Sequence, residues 1–231
     1  MQIRTILGTI AVASFALGFT VTLLSAPARF DYLVREDFFA GFGGNSEALQ
    51  RGMQKAEAAL AENPEHAEAL VWHGAGLYFQ AGQAFRKQDF QTGQSLAAKG
   101  LAEMDKAVQL QPEHVGVRIP RGSVLLTSAR FMPPDMATPL IKRGIEDYEA
   151  CLKLQAMYLD TMATHPKGEL LQGLADGYSR LGETSKAEEF YLRITKELPD
   201  SAYAKRAGEW MKTKAPLPAG QAGCIGCHNN K

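Results

Sequence analysis

At 231 residues, 45% of them hydrophobic and 22% charged, the chain is long enough for one domain with appendages and has a globular composition. Its 25 basic and 25 acidic residues give a formal net charge of zero, and no local basic run stands out. Such a charge balance provides no attraction to nucleic acid, so DNA or RNA binding is not expected.

The chain begins with an uncharged stretch. Residues 6–24 (ILGTIAVASFALGFTVTLL) follow Arg4 and contain no charged side chain. As a helix they rise about 28 Å, close to the bilayer core of about 30 Å. Residues 1–28 are therefore predicted to be an inner-membrane anchor or a signal peptide. Ala26-Pro27-Ala28 fits the small-x-small pattern of a signal-peptide cleavage site, and cleavage after Ala28 would start the mature chain at Arg29. Either way, the rest of the chain is expected in the periplasm.

Residues 29–45 are rich in aromatic side chains. Aromatic residues collect at membrane interfaces, but more often they cover the first helices of a domain. We predict an aromatic-rich linker or cap here.

Residues 46–211 are predicted to form one helical domain. Apolar residues recur at steps of three and four, Pro and Gly separate the segments, and no alternating strand pattern appears. The predicted fold class is therefore all-α. The expected helices are Glu47–Glu62, Ala67–Phe85, Gln91–Gln111, Pro120–Phe131, Pro139–Thr164, Glu169–Arg180, Ser185–Glu197 and Ser201–Lys212.

Large, small and Pro residues recur at fixed offsets between residues 168 and 201. Ala175 and Ala187 are small enough for two helices to approach closely, Gly182 turns the chain, and Pro199 ends the second helix. The pattern resembles the 34-residue tetratricopeptide repeat. The matching positions are Leu171, Leu174, Ala175, Tyr178, Gly182, Ala187, Tyr191 and Pro199.

A second, longer copy of this pattern spans residues 68–114. Compared with the first copy it carries 13 additional residues between Tyr78 and Pro112. Residues 56–64 and 114–166 are similar to the repeat only in part. The matching positions of the longer copy are Val71, Ala75, Tyr78 and Gly82 in the first helix, and Gly100, Met104, Ala107 and Pro112 in the second.

The resemblance implies antiparallel helical hairpins stacked in a layer whose concave groove binds a partner protein. Trp72 and Phe79 are expected at groove positions in one repeat, although core packing is an equal alternative for both. Aromatic anchors would be natural hot spots in such a groove. The groove positions of the other repeat are Gln172, Asp176 and Arg180.

Residues 212–231 are predicted to be a Pro/Gly-rich tether that ends in a Cys-x-x-Cys-His motif. The twelve residues from Lys212 to Gly223 would extend at most about 37 Å. Cys224 and Cys227 have the spacing that joins two thiols to the vinyl groups of one c-type haem, and His228 follows as the proximal iron ligand. One covalently attached haem c is the cofactor we expect.

Other uses of this motif are less favoured. A closed zinc site needs four ligands, and the tail supplies three at tight spacing. A redox-active disulfide usually lies at a helix N-terminus of a βαβ fold, which the sequence does not indicate. The third cysteine, Cys151, lies within a predicted helix and is expected to be a small buried apolar residue.

The distal iron ligand cannot be assigned from the sequence. Only Asn229, Asn230 and Lys231 follow the motif, so we expect the ligand to come from upstream, from another protein, or to be missing. Arg118 and Arg121 are placed to meet haem propionates, although a solvated helix face is the usual role of such a pair. The upstream candidates are His66, His73, His114, His165, Met132, Met136 and Met211.

No catalytic triad, paired carboxylates or phosphate-binding loop appears, so an enzyme is not expected. The main hypothesis is an exported mono-haem c-type cytochrome that transfers electrons and docks a periplasmic redox partner or membrane complex through its repeat-like groove. The alternative is a scaffold or assembly protein of a periplasmic complex whose haem is a redox or gas sensor. A third hypothesis is a haem-free scaffold whose tail cysteines bridge to another protein.

Overall fold

The computed structural model describes residues 29–218. Over this range the chain is helical and contains no strand, which confirms the all-α prediction. The α-helices are α1 Phe30–Phe42, α2 Ser46–Glu62, α3 Ala67–Arg86, α4 Phe90–Leu110, α5 Val115–Ser128, α6 Pro134–Leu154, α7 Thr164–Arg180, α8 Thr184–Glu197 and α9 Ala202–Thr213. Two 3₁₀ helices, η1 Ala129–Phe131 and η2 Ala156–Thr161, flank α6.

Several helices begin at a polar residue whose side chain satisfies a free backbone N–H group. The Asn45 side chain accepts a bond from the Ala48 amide at 3.0 Å, and Asp89 starts α4 in the same way at 3.1 Å. Ser201 caps α9. These caps set the helix starts locally, before tertiary packing.

The buried apolar side chains form two clusters. One lies among α1–α5 and includes Phe38, Trp72 and Met104. The other lies among α5–α9 and includes Tyr148, Tyr191 and Trp210. Met132, in the loop after η1, packs against both clusters and so marks where they meet.

Helices α3 and α4 approach so closely that only glycine fits between them. A Cβ atom on Gly74 would lie 2.7 Å from the carbonyl oxygen of Gly100, and one on Gly100 would lie 2.6 Å from the Gly74 carbonyl oxygen. The two glycines are nearly equidistant from the turn that joins the helices, so α3 and α4 run antiparallel.

The turns of the α3–α4 and α7–α8 hairpins have the same backbone structure. The amide of Glu183 bonds to the carbonyl of Tyr178 around Gly182, whose φ is +76°, as expected for the turn glycine. In the longer hairpin the amide of Asp89 bonds to the carbonyl of Ala84 around Gln88, whose φ is +64°.

Gly82 was expected at a first-helix position of the longer hairpin, and it does lie within α3. The turn follows at Gln88, six residues later. The 13 additional residues therefore divide into six in α3 and seven in α4. The hairpin is lengthened by about 10 Å rather than interrupted by a loop.

Two predicted helices have different ends in the structure. Helix α5 begins at Val115, not Pro120, because burial of Val117 outweighs the cost of a proline in the second turn. Helix α6 begins at Pro134 rather than Pro139 and ends at Leu154. The remainder of the expected helix is the 3₁₀ segment η2, which still directs Leu159 into the core.

Phe30–Phe42, within the aromatic-rich stretch 29–45, form α1, which packs against α2 and α3. Its inward residues Phe30, Val34 and Phe38 are buried. Among the described residues, no helix combines the length and apolar character needed to cross a bilayer. The uncharged stretch 6–24 lies outside the described range, so its role stays a prediction.

The close approach of α3 and α4 predicts a strong effect of one methyl group. Gly100→Ala should lower the free energy of unfolding by about 1–3 kcal/mol, because the new Cβ overlaps backbone that cannot move freely. Gly208→Ala is the matched control: a Cβ on Gly208 in α9 meets no atom within 4 Å. The control should stabilise the protein by up to about 1 kcal/mol. Urea unfolding measures the free energy of unfolding of both variants. Stabilisation by Gly100→Ala would contradict the close packing of α3 against α4.

Candidate functional site

The residues of the predicted haem motif, Cys224, Cys227 and His228, lie outside the described range. Their roles stay predictions. The structure does describe the fold up to Pro218, six residues before Cys224, and hence the place from which the motif extends.

Helix α1 covers the two aromatic residues expected in the groove. Trp72 is buried, and its ring centre lies 5.3 Å from that of Phe38 and 5.8 Å from that of Phe39. Phe79 is partly buried, with its ring centre 5.0 Å from that of Phe42. These contacts give both residues a packing role within the fold, and no partner contact tests the groove prediction.

The other three groove positions also have internal partners. Gln172 is buried, and its side-chain oxygen accepts a bond from Arg206 at 3.4 Å. Asp176 and Arg180 belong to a buried polar cluster that also holds the C-terminal segment. Their use by a partner protein likewise stays a prediction.

This polar cluster, which we call the C-terminal anchor, consists of Arg130, Asp176, Arg180 and Leu217. Arg130, in η1, donates one bond to the carboxylate of Asp176 and another, of 2.9 Å, to the backbone carbonyl of Leu217. Arg180 lies 3.8 Å from the same carboxylate and donates to the Leu126 carbonyl at 2.7 Å. The anchor thus ties η1, α7 and the end of the described chain together.

Burial dominates the electrostatics of the anchor. It raises the pKa of Asp176, although the neighbouring Arg130 acts in the opposite direction. It also lowers the pKa of Arg180. Asp176 Oδ1 and the Tyr191 hydroxyl are buried without a hydrogen-bond partner within the described chain. Burial and, secondarily, the charge of Asp176 raise the pKa of Tyr191.

The anchor shortens the tether that the sequence predicted. Lys212 and Thr213 are part of α9, and the Leu217 side chain is buried in the C-terminal core cluster. The expected reach of about 37 Å from Lys212 was therefore too long. From Leu217 to Cys224, seven residues extend at most about 25 Å.

The histidine candidates for a distal iron ligand already have structural contacts. His66 caps α3 by accepting a bond from the Ala69 amide at 3.3 Å, and buried His73 lies 2.6 Å from a Glu103 carboxylate oxygen. His114 stands just before α5, 3.7 Å from Glu68. His165 is exposed, but its Nδ1 lies 2.9 Å from the Tyr203 hydroxyl.

The methionine candidates differ in exposure. Met132 and Met211 are partly buried and pack against the core. The side chain of Met136, near the start of α6, is 58% exposed and packs against neither core cluster. Met136 is therefore the methionine candidate that is most accessible.

Arg118 and Arg121 do not form the solvated face that was expected. Both donate to the fully buried carboxylate of Asp147, at 2.8 Å from Arg118 and 2.7 Å from Arg121. Burial raises the pKa of Asp147 despite these two cations. The guanidinium groups hold a buried anion between α5 and α6, which leaves little reason to assign them to propionates.

Cys151 is fully buried, as predicted. Burial, with a smaller contribution from the charge of Asp147, raises the pKa of its thiol to about 12. The sulfur is thus protonated and inaccessible at neutral pH. Within residues 29–218, no group of three or more His, Cys, Asp or Glu side chains could hold a metal ion.

The chain matches no protein-family model, no curated protein and no solved structure. Only the residues and their geometry therefore indicate a function. Sequence reasoning missed Arg130, because it stands in the irregular stretch SARFMPPD, where no periodicity or motif identifies its partners.

The C-terminal anchor predicts that Arg130 is important for stability. Arg130→Met should lower the free energy of unfolding by about 3 kcal/mol, because the buried Asp176 carboxylate loses its nearest cation. Lys99→Met is the control: Lys99 is largely exposed and lies 3.9 Å from Glu103. Its cost should stay below about 1 kcal/mol. Urea unfolding measures the free energy of unfolding of both variants. If Arg130→Met lowered it as little as Lys99→Met does, the C-terminal anchor would not hold the C-terminal segment.

Proposed function

We propose that this protein is an exported mono-haem c-type cytochrome that transfers single electrons and docks a redox partner through a tetratricopeptide-like body. One observation carries the proposal: Cys224, Cys227 and His228 have the spacing of a haem-attachment site. The motif follows a segment that is fixed to the folded domain at Leu217. A segment fixed in this way can present an attached group to a partner.

The chemistry needs only the residues of the motif. Cys224 and Cys227 would hold the haem covalently through their sulfur atoms, and His228 would be a ligand of its iron. When bound, the haem supplies reversible one-electron transfer. The protein's part would be attachment and ligation.

The geometry of the hairpins supports the repeat-like body. Ala175 and Ala187 are fully buried where α7 meets α8, and the α3–α4 and α7–α8 turns share one hydrogen-bond pattern. These features agree with a pair of related helical hairpins, one of them lengthened. On this proposal the chain acts as a carrier and docking protein rather than as an enzyme.

An outward face of α1 supports attachment to a membrane. Tyr32 and Leu33 are each 55% exposed and lie eight and nine residues beyond the uncharged stretch 6–24. The guanidinium groups of Arg29 and Arg35 lie 5.3 Å and 4.6 Å from the centre of the Tyr32 ring. Tyrosine and arginine favour the headgroup layer of a membrane. We therefore propose that residues 6–24 remain as an anchor in the inner membrane.

The haem assignment predicts a covalent pigment that depends on two of the three cysteines. Protein from cells with an intact cytochrome maturation pathway should keep a haem band under denaturing, thiol-free conditions, and its mass should exceed that of the chain by one haem. Cys224→Ser should weaken the band, and Cys224→Ser with Cys227→Ser should abolish it.

Cys151→Ala is the control for this experiment, because the buried Cys151 thiol takes no part in attachment and the band should remain. A colourless wild-type protein would refute the assignment. If its tail thiols instead carried a second polypeptide through disulfides, the haem-free scaffold hypothesis would replace it.

The proposal that residues 6–24 anchor the protein in the inner membrane predicts where the mature chain begins. Fractionated cells should contain the protein in the inner membrane, and its intact mass should include residues 1–28. A chain that begins at Arg29 and is recovered in the soluble periplasmic fraction would contradict the membrane anchor and establish a cleaved signal peptide.

A further inference from the structure

The last described residues fold back onto the helical body. Residues 214–218, which we call the C-terminal strap, follow α9 and are not helical. At Lys214 the backbone has a φ of +54°, a left-handed conformation that is uncommon for a residue other than glycine. Beyond this turn, the carbonyl of Leu217 accepts a bond of 2.9 Å from the Arg130 guanidinium. The strap therefore reaches from the end of α9 to η1, which lies 87 residues earlier in the chain.

The contacts of the strap are those of a short bound peptide. The Leu217 side chain is 6% exposed and packs into the C-terminal core cluster, whereas the flanking residues Pro216 and Pro218 are exposed. An apolar residue that fills a pocket between exposed neighbours is a common way for a peptide segment to dock. The Arg130 bond fixes the backbone at the same position. The strap thus resembles a ligand that is joined to its own receptor.

The strap leaves buried polar atoms beside it without hydrogen bonds. Arg130 donates both to the Leu217 carbonyl and to the Asp176 carboxylate, so these two acceptors lie against one guanidinium group. The other carboxylate oxygen of Asp176, Oδ1, and the hydroxyl of Tyr191 have no hydrogen-bond partner within residues 29–218. Asp176 is 4% exposed and Tyr191 is fully buried. Because an unsatisfied buried polar group is costly, the strap is an incomplete match to this site.

The sequence of the strap contributes to this mismatch. Pro216 and Pro218 carry no backbone N–H group, so the residues on either side of Leu217 cannot donate from the main chain. A segment with any other residue in one of these places offers an additional donor close to the acceptor Asp176. The site is therefore better suited to a peptide that combines an apolar residue with a neighbouring N–H group.

The strap can open while the helical body stays folded. Helix α9 ends at Thr213, before the strap begins, and Trp210 near its end donates a bond of 2.7 Å to the Ser179 hydroxyl of α7. Trp210 is also buried, so α9 keeps its packing when residues 215–218 leave. Release would in addition relieve the left-handed backbone at Lys214. Opening therefore costs the contacts of the strap but not those of the helices.

We propose that Arg130, Asp176 and the pocket of Leu217 form a peptide-binding site, which the strap occupies until a partner protein displaces it. The partner's segment places an apolar residue in the Leu217 pocket, its carbonyl on Arg130 and a flanking N–H group towards Asp176. The strap thus blocks a docking site of its own protein. That the occupant is the redox partner rests on the proposed function, whereas the site itself consists of described residues.

The test measures whether a free peptide can exchange with the strap. A dye-labelled peptide with the sequence of residues 213–218, TKAPLP, is titrated with full-length holoprotein and its fluorescence anisotropy recorded. Leu217→Ser removes the buried side chain of the attached strap. This variant should bind the peptide at least about tenfold more tightly than the wild type, in which the attached strap competes at high effective concentration. Leu192→Ser, a change at an exposed leucine of α8, should bind it like the wild type.

Two altered peptides test the specificity of the site without changing the protein. Serine in place of the peptide's leucine should abolish binding to Leu217→Ser. Alanine in place of the final proline supplies an N–H group and should increase the affinity severalfold. Adding Arg130→Met to Leu217→Ser should also abolish binding, and circular dichroism checks that this double variant is folded. If it is not, the two peptides still decide the question.

Contrary results separate the site from the proposed function. If Leu217→Ser bound the peptide no more tightly than the wild type, or if the serine peptide bound equally well, the peptide site would be rejected. Dimers of the wild type that disappear in Leu217→Ser would assign the site to the strap of a second copy instead of a partner. The haem band of Leu217→Ser is recorded in parallel. A negative peptide result with an intact band would leave the cytochrome assignment in place, and a missing band in the wild type would reject that assignment whatever the peptide result.

Discussion

The path of the chain beyond α9 depends on one buried ion pair, between Arg130 and Asp176. Asp176 stands on α7 and Arg130 in η1, so their contact joins two elements that are 46 residues apart in sequence. Buried ion pairs often add little net stability, because the charges lose their hydration, but they penalise alternative arrangements severely. Here the second guanidinium bond, to Leu217, extends that specificity to the C-terminal segment. An otherwise irregular stretch of chain therefore leaves the domain at a defined place.

The ion pair holds the chain at Leu217, whose side chain is buried in the cluster formed by α5–α9. The lengthened α3–α4 hairpin is remote from this exit in sequence and belongs to the other core cluster.

Helix type and approximate position could be predicted from the sequence, because caps, prolines and apolar spacing act locally. The turn at Gly182 is an example, since glycine adopts a positive φ at little cost. Gln88 adopts a similar φ without being glycine, so the sequence placed this turn only by the gap between the helices predicted to end at Phe85 and to begin at Gln91. The ion pairs of Arg121 with Asp147 and of Arg130 with Asp176 join residues that are distant in sequence. Such pairings arise only after the helices pack, and residue spacing alone does not reveal them.

The burial of Cys151 has a consequence for how such a chain would mature. In an oxidising compartment, three accessible thiols can form three different disulfides, and two of these would leave one tail cysteine trapped. The Cys151 sulfur lies at zero exposure, and its pKa of about 12 keeps it from becoming a nucleophile. Folding of the helical body thus buries Cys151, which on the proposed function would otherwise compete with Cys224 and Cys227. The packing of α6 would in this way protect the fidelity of the proposed modification, more than seventy residues away.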